Sequence, residues 1–98
     1  MAMFHVVLLR SGPEWDSARP MEEQPGWNEH AAFMEDLVEN GFLVMGGPLP
    51  DGLRVVHAVE AYSEEDVRAT LSEDPWNDSI LRIDTVERWS IRLDGRHR

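Results

Sequence analysis

Between Met3 and Arg10 the chain is apolar in both phases of a strand, with Phe4, Val6 and Leu8 on one side and Val7 and Leu9 beside His5 on the other. A strand with one wet face alternates, so a strand apolar on both sides has both of its faces covered. Phe42 to Met45 has the same two-sided character. Only two segments carry helical spacing, and two helices cover one face of a small sheet. The other face needs a different partner.

The remaining elements follow in order. Ser11 to Pro25 holds three prolines among many polar residues and reads as a long loop, the kind that in a compact domain is often functional. From Trp27 to Asn40 the spacing predicts an amphipathic helix, with Trp27, His30, Ala31, Met34, Leu37, Val38 and Gly41 on one stripe and Glu29, Glu35, Asp36, Glu39 and Asn40 opposite. Gly41 is placed to end it in the left-handed conformation. The strand Phe42–Met45 leads into "GGPLPDG", dense in turn residues and expected to be a hairpin connection. A third strand runs over Leu53–Tyr62. Ser63 with Asp66 three residues on resembles a capping box opening a second helix, which ends near Glu73 or Asp74 because Pro75 disfavours helical geometry before it. The last strand alternates Leu81, Ile83, Thr85, Trp89, Ile91 and Leu93 against Arg82, Asp84, Arg88, Ser90 and Arg92, so one of its faces is wet or it lies at an edge. "DGRHR" reads as a frayed tail in which His97 carries little meaning.

The order β-α-β-β-α-β is that of an α+β ferredoxin-like sandwich, a four-stranded antiparallel sheet with two helices on one face. With 98 residues, 42% of them hydrophobic, there is one domain over residues 1–98 and no second core. A second copy packed sheet to sheet is the economical cover for the open face, which predicts a homodimer.

Charge and composition remove several classes of function. Nineteen acidic against nine basic residues give a net charge of −10, which repels phosphate backbones and anionic lipid, so neither nucleic acid nor membrane is expected as a partner. The absence of cysteine excludes a disulfide framework, a thiolate nucleophile and a cysteine zinc site. The opening apolar run lacks a preceding basic region and a cleavage site, and no run approaches the ~20 apolar residues of a membrane span. A soluble, cytoplasmic protein is expected.

In the 4-1-3-2 strand order of this topology, the end of strand one, the start of helix one, the second hairpin and the end of helix two meet at one rim. Arg10, His30, the Gly46–Gly52 turn and Asp74 converge there, below the loop of residues 11–25. A histidine fixed by a carboxylate can act as general acid or base. At this point two readings stand: His30 and Asp74 form such a pair, or His30 packs in the core and Asp74 only begins the turn at Pro75. Arg10 would bind an anionic group or pair with one of the many carboxylates. Trp15, Trp27 and Trp76 would line an aromatic pocket or anchor the core. His5 and His57, on neighbouring strands, could share a face; without a third ligand they are read as packing or interface, and no metal is assigned.

"HAAFMEDLVENGFLVMGGPL" with "SEEDVRATLSEDPW" resembles the YCII-related family of small dimeric α/β-barrel proteins. The specific elements are the helix histidine His30, the turn Gly46, Gly47, Pro48, and the Asp-Pro-aromatic motif Asp74, Pro75, Trp76. The resemblance implies a dimeric α/β barrel and an active-site cleft where His30 and Asp74 lie near each other. On this reading His30 is the catalytic acid/base and Asp74 its orienting partner, while the residues themselves suggest Arg10 as an anion contact and Trp15, Gly47, Pro48 and Trp76 around the substrate. One lineage of the family is a dehydrochlorinase acting on an aromatic ring. This chain departs from it in carrying Trp27 where many members have an arginine, Trp76 in place of a Tyr or Phe, and a long loop at 11–25. The expected activity is isomerisation or elimination of a small molecule without a cofactor. The alternative is a non-catalytic dimer that binds a small ligand or serves as an accessory module.

Overall fold

The computed structural model describes residues 1–96; His97 lies outside the described residues. β1 (Ala2–Leu9) is central, paired antiparallel with β3 (Arg54–Ala61) on one side and β4 (Arg82–Arg88) on the other, and β2 (Leu43–Pro48) adds outside β3. The sheet order is β2-β3-β1-β4, the order expected from the sequence. Helix α1 (Trp27–Glu39) joins β1 to β2 and α2 (Glu64–Leu71) joins β3 to β4.

One face of the sheet makes the core. Phe4, Val6 and Leu8 of β1 stand beside Val59, His57 and Val55 of β3 and Val86 of β4. The apolar members of this row pack with Leu37 of α1 and with Val67 and Leu71 of α2. Each such side chain taken fully out of water contributes on the order of 1.5–3 kcal/mol. The opposite face carries Met3, His5 and Val7 beside Glu60, Ala58 and Val56, with both helices on the far side.

Local signals behave as their chemistry requires. The Ser63 Oγ accepts a hydrogen bond from the Asp66 backbone N–H at 3.1 Å, which caps α2. Gly41 follows α1 with φ +86°, a left-handed geometry that costs glycine nothing. The stripe of α1 is rotated from the expected one. Val38 is more than half exposed, while Phe33 packs against the core beside Met34.

Three expected boundaries are corrected. Gly46, Gly47 and Pro48 are strand, paired with His57, Val56 and Val55, and not a turn. β2 is an edge strand, where a proline removes no needed ladder hydrogen bond. The turn lies beyond them, where Asp51 Oδ1 accepts from the Leu53 and Arg54 backbone N–H groups, both at 2.9 Å. α2 stops at Leu71, capped by Ser72, two or three residues before the point set by Pro75. β4 ends at Arg88, and its alternation breaks at an irregularity: Leu8 pairs with Ile83 but Val7 with Thr85, so Ile83 and Val86 both turn to the core. From Trp89 onward the chain leaves the strand and crosses the open face, where Ile91 and Leu93 lie over Met3, Met45 and Ala58.

The 11–25 loop is an ordered structure. Gly12 and Glu14 backbone N–H groups donate to Ile80 and Ser79 carbonyls at 3.1 and 2.8 Å. Gln24, buried at the loop's end, accepts from the Asp16 N–H at 3.0 Å and donates to the Asp16 and Arg19 carbonyls at 2.6 and 3.0 Å.

Candidate active site

His30 sits in the first turn of α1, its backbone N–H bonded to the Gly26 carbonyl and its ring turned inward with the apolar stripe. Asp74 follows α2 in a tight turn: its backbone N–H donates to the Leu71 carbonyl, and its Oδ1 accepts the Trp76 backbone N–H at 2.9 Å. That Asx turn aims the carboxylate, because an aspartate that bonds two residues ahead has little rotational freedom. His30 Nδ1 lies 2.9 Å from both Asp74 oxygens, in side chains only 8% and 5% exposed. A carboxylate accepts, so Nδ1 carries the proton and donates it, and the lone pair of the neutral ring is on Nε2.

Aromatic rings fix the imidazole plane. Trp76 stacks on His30 with centroids 4.0 Å apart and planes 7° from parallel, and Trp27 leans on both rings. Trp76 is 1% exposed, and its indole N–H donates to the Pro25 carbonyl at 2.7 Å, tying the Asp74 turn to the end of the loop. Trp76 therefore backs the histidine from within the core.

The other predicted residues divide. Arg10 reaches the rim, but its guanidinium donates to the Leu49 carbonyl at 3.0 Å and lies 3.8 Å from Asp51, and its Nε is sealed without a partner. It ties β1 to the β2–β3 turn. Asp51 also receives hydrogen bonds from the Arg54 side chain and backbone, which hold its carboxyl well below the usual range. Trp15 packs against the core from the loop. Pro48 stands opposite Val55 on the helix side of β2, whereas Gly47 stands opposite Val56 and faces away from the dyad.

His57 was paired in the sequence with His5, and the register separates them. His57 is opposite Val6, on the helix face, while His5 is opposite Ala58 on the open face, in edge contact with Trp89 at 5.4 Å. His57 is 7% exposed, and burial, followed by the charge of His30, lowers its pKa to about 4 against the raising effect of Asp74. Its ring lies against Gly46, where a Cβ would come within 1.8 Å of Nδ1. That Nδ1 is sealed and unpartnered. A proton there would be a buried unsatisfied donor, costing about 1–3 kcal/mol, whereas a lone pair facing a Cα–H is tolerated. The neutral ring therefore carries its proton on Nε2. The sequence held one signal for this residue: it is the polar member of the buried row Val55, His57, Val59, Ala61.

No family model, curated protein or solved structure matches this chain. Function is read from the residues themselves. Among the described residues no three His, Asp or Glu side chains are grouped to hold one metal ion, and no helix is long and apolar enough to cross a membrane. Concavities of about 180 and 350 Å³, both walled by Met45, Ala58 and Trp89, open on the other face of the sheet. Their lining is largely apolar, with Asp94 and Arg96 also lining the smaller, and offers surface for packing, whereas His30 and Asp74 form a buried acid/base pair.

Proposed function

We propose that this chain is a YCII-related dimeric α/β-barrel protein whose His30–Asp74 pair carries out acid/base chemistry, isomerisation or elimination, on a small molecule. The observation that carries the reading is the buried dyad itself: Nδ1 of His30 is held by both oxygens of Asp74 at 2.9 Å, which fixes the tautomer and orientation that a general base needs. His30 Nε2 makes no hydrogen bond within the described residues and is not fully sealed, so it retains contact with solvent. Asp74 stabilises the imidazolium once a proton has been taken. The sheet face that carries Met3, Val7, Met45 and Val56 is the surface for the second copy.

Incubation in D2O with a panel of small carbonyl and halogenated-ring compounds, followed by proton NMR, tests the chemistry. The protein is expected to speed deuterium entry or halide loss for a panel member, and His30→Ala to slow it by about 10²–10⁴-fold. Retained rates in His30→Ala would sink the catalytic reading. A panel member that binds without reacting would favour the ligand-binding module.

A further inference from the structure

The dyad has a neighbour that the acid/base reading leaves unused. His57 enters from β3 on the helix face, three residues from the strand end that shares a rim with His30 and Asp74. It is more than nine-tenths buried, and the space for its ring exists because residue 46 is glycine. Gly46 closes off Nδ1, whereas Nε2 is not fully sealed and no hydrogen bond within the described residues engages it. Among the described residues the Nε2 atoms of both buried imidazoles thus stay unpartnered and in contact with solvent, and their tautomers are opposite. His30 presents a lone pair, and His57 presents an N–H.

We infer that His57 is a second catalytic residue of this site, and that the substrate is a small molecule with a carbonyl oxygen next to an acidic C–H bond. The inference rests on the acid/base reading of His30 and Asp74 and specifies what that pair acts upon. His30 Nε2 takes the proton as the C–H bond breaks. The bonding pair becomes the C=C bond of an enolate, the carbonyl π pair moves onto oxygen, and His57 Nε2–H donates a hydrogen bond to that oxygen as its charge grows. The imidazolium of His30, once its Nε2 proton has swapped with solvent, returns a hydrogen to the same carbon, giving exchange, or returns the proton to another carbon, giving isomerisation; departure of a β-substituent with the electron pair gives elimination instead, and His30 then releases its proton to solvent. No further reactant is required. A neutral imidazole suits the donor role, since it polarises an oxygen without adding a charge beside His30 when that ring becomes cationic. The charges of both dyad members bear on His57.

The first arm of the test needs no substrate. Long-range ¹H–¹⁵N correlations of the histidine rings in the labelled full chain at pH 7 are expected to show His57 neutral with its proton on Nε2, and His30 with its proton on Nδ1. A proton on His57 Nδ1 would overturn the proposal. Gly46→Ala is expected to displace the His57 signals while those of His30 stay in place. The second arm follows deuterium entry at the central carbon of acetylacetone by proton NMR. The wild type is expected to accelerate it, His57→Phe to slow that acceleration by about 10²–10³-fold, and His57→Gln, which keeps an N–H donor, to recover part of it. Exchange lost in His30→Ala but unchanged in His57→Phe would overturn the role of His57 and leave the dyad standing. A wild type without effect on acetylacetone would overturn the carbonyl assignment, while the wider panel with halogenated rings still decides the dyad.

Discussion

Protonation of His57 would put a charge into the helix side of the sheet with one nitrogen facing Gly46, and burial disfavours that charge. Its folded pKa of about 4 lies below the ordinary 6.5, so between these values the unfolded chain binds the proton and the folded chain does not. The stability associated with the neutral ring is present above pH 6.5 and is lost as pH falls towards 4, by an amount on the order of 3 kcal/mol. Urea unfolding at pH 7 and pH 4 is expected to show this loss, and His57→Phe to reduce the pH difference. Asp74→Ala acts differently: it strips the acceptor from His30 Nδ1 and the Trp76 backbone N–H, both buried, for a cost of about 2–5 kcal/mol at pH 7 in the same measurement. Asp74→Asn, which keeps an acceptor oxygen, is expected to cost less. His30 was legible because it interrupts an apolar stripe at helical spacing, and Asp74 because a proline follows it. His57 was legible only as the polar member of the alternating row Val55, His57, Val59 and Ala61; which face of the sheet that row takes depends on the β1 residue it pairs with, and Val6 is distant in sequence.

Elements were legible where a local rule governs them. The buried phase of β1, the Ser63 cap and the Gly41 terminus follow from spacing and backbone chemistry, and the strand order follows from connectivity. β2 and β4 were misread at their ends. A Gly-Gly-Pro run looks like a turn until Gly46 is seen to admit the His57 ring, and the phase of β4 shifts where its ladder to β1 is irregular. Both are consequences of contacts with distant strands. The loop of residues 11–25 shows the same dependence, since its order hangs on Gln24, whose amide bridges Asp16 and Arg19. Gln24→Ala is expected to release the loop: hydrogen exchange at the Asp16 amide should quicken while that at Val6 in the central strand stays slow, with a stability cost of about 1–3 kcal/mol. Unchanged exchange at Asp16 would mean that the backbone bonds of Gly12 and Glu14 hold the loop unaided.

At the scale of the whole molecule, the open sheet face has two contenders for its cover. One is the chain's own end: Trp89 bonds to the Met3 carbonyl and packs on His5, and Ile91 and Leu93 reach across towards Met45. That cover is partial, since Met45 remains 54% and Leu93 94% exposed. The proposed second copy would bury Met45, Val56 and the segment from Trp89 in one interface, and the apolar second phase of β1 and β2 is explained by such burial. Each copy brings a net charge of −10, so association works against self-repulsion that salt screens. Sedimentation equilibrium is therefore expected to find a dimer that tightens between low salt and about 0.5 M, where the Debye length falls to ~4 Å. Met45→Glu, which sets a further like charge on that face, is expected to yield monomers with the dyad's NMR signals intact. Removal of residues 90–98 separates the contenders. A truncated chain that still dimerises identifies the bare sheet as the interface, whereas loss of the dimer from a truncated chain that remains folded would show that the segment supplies the contact.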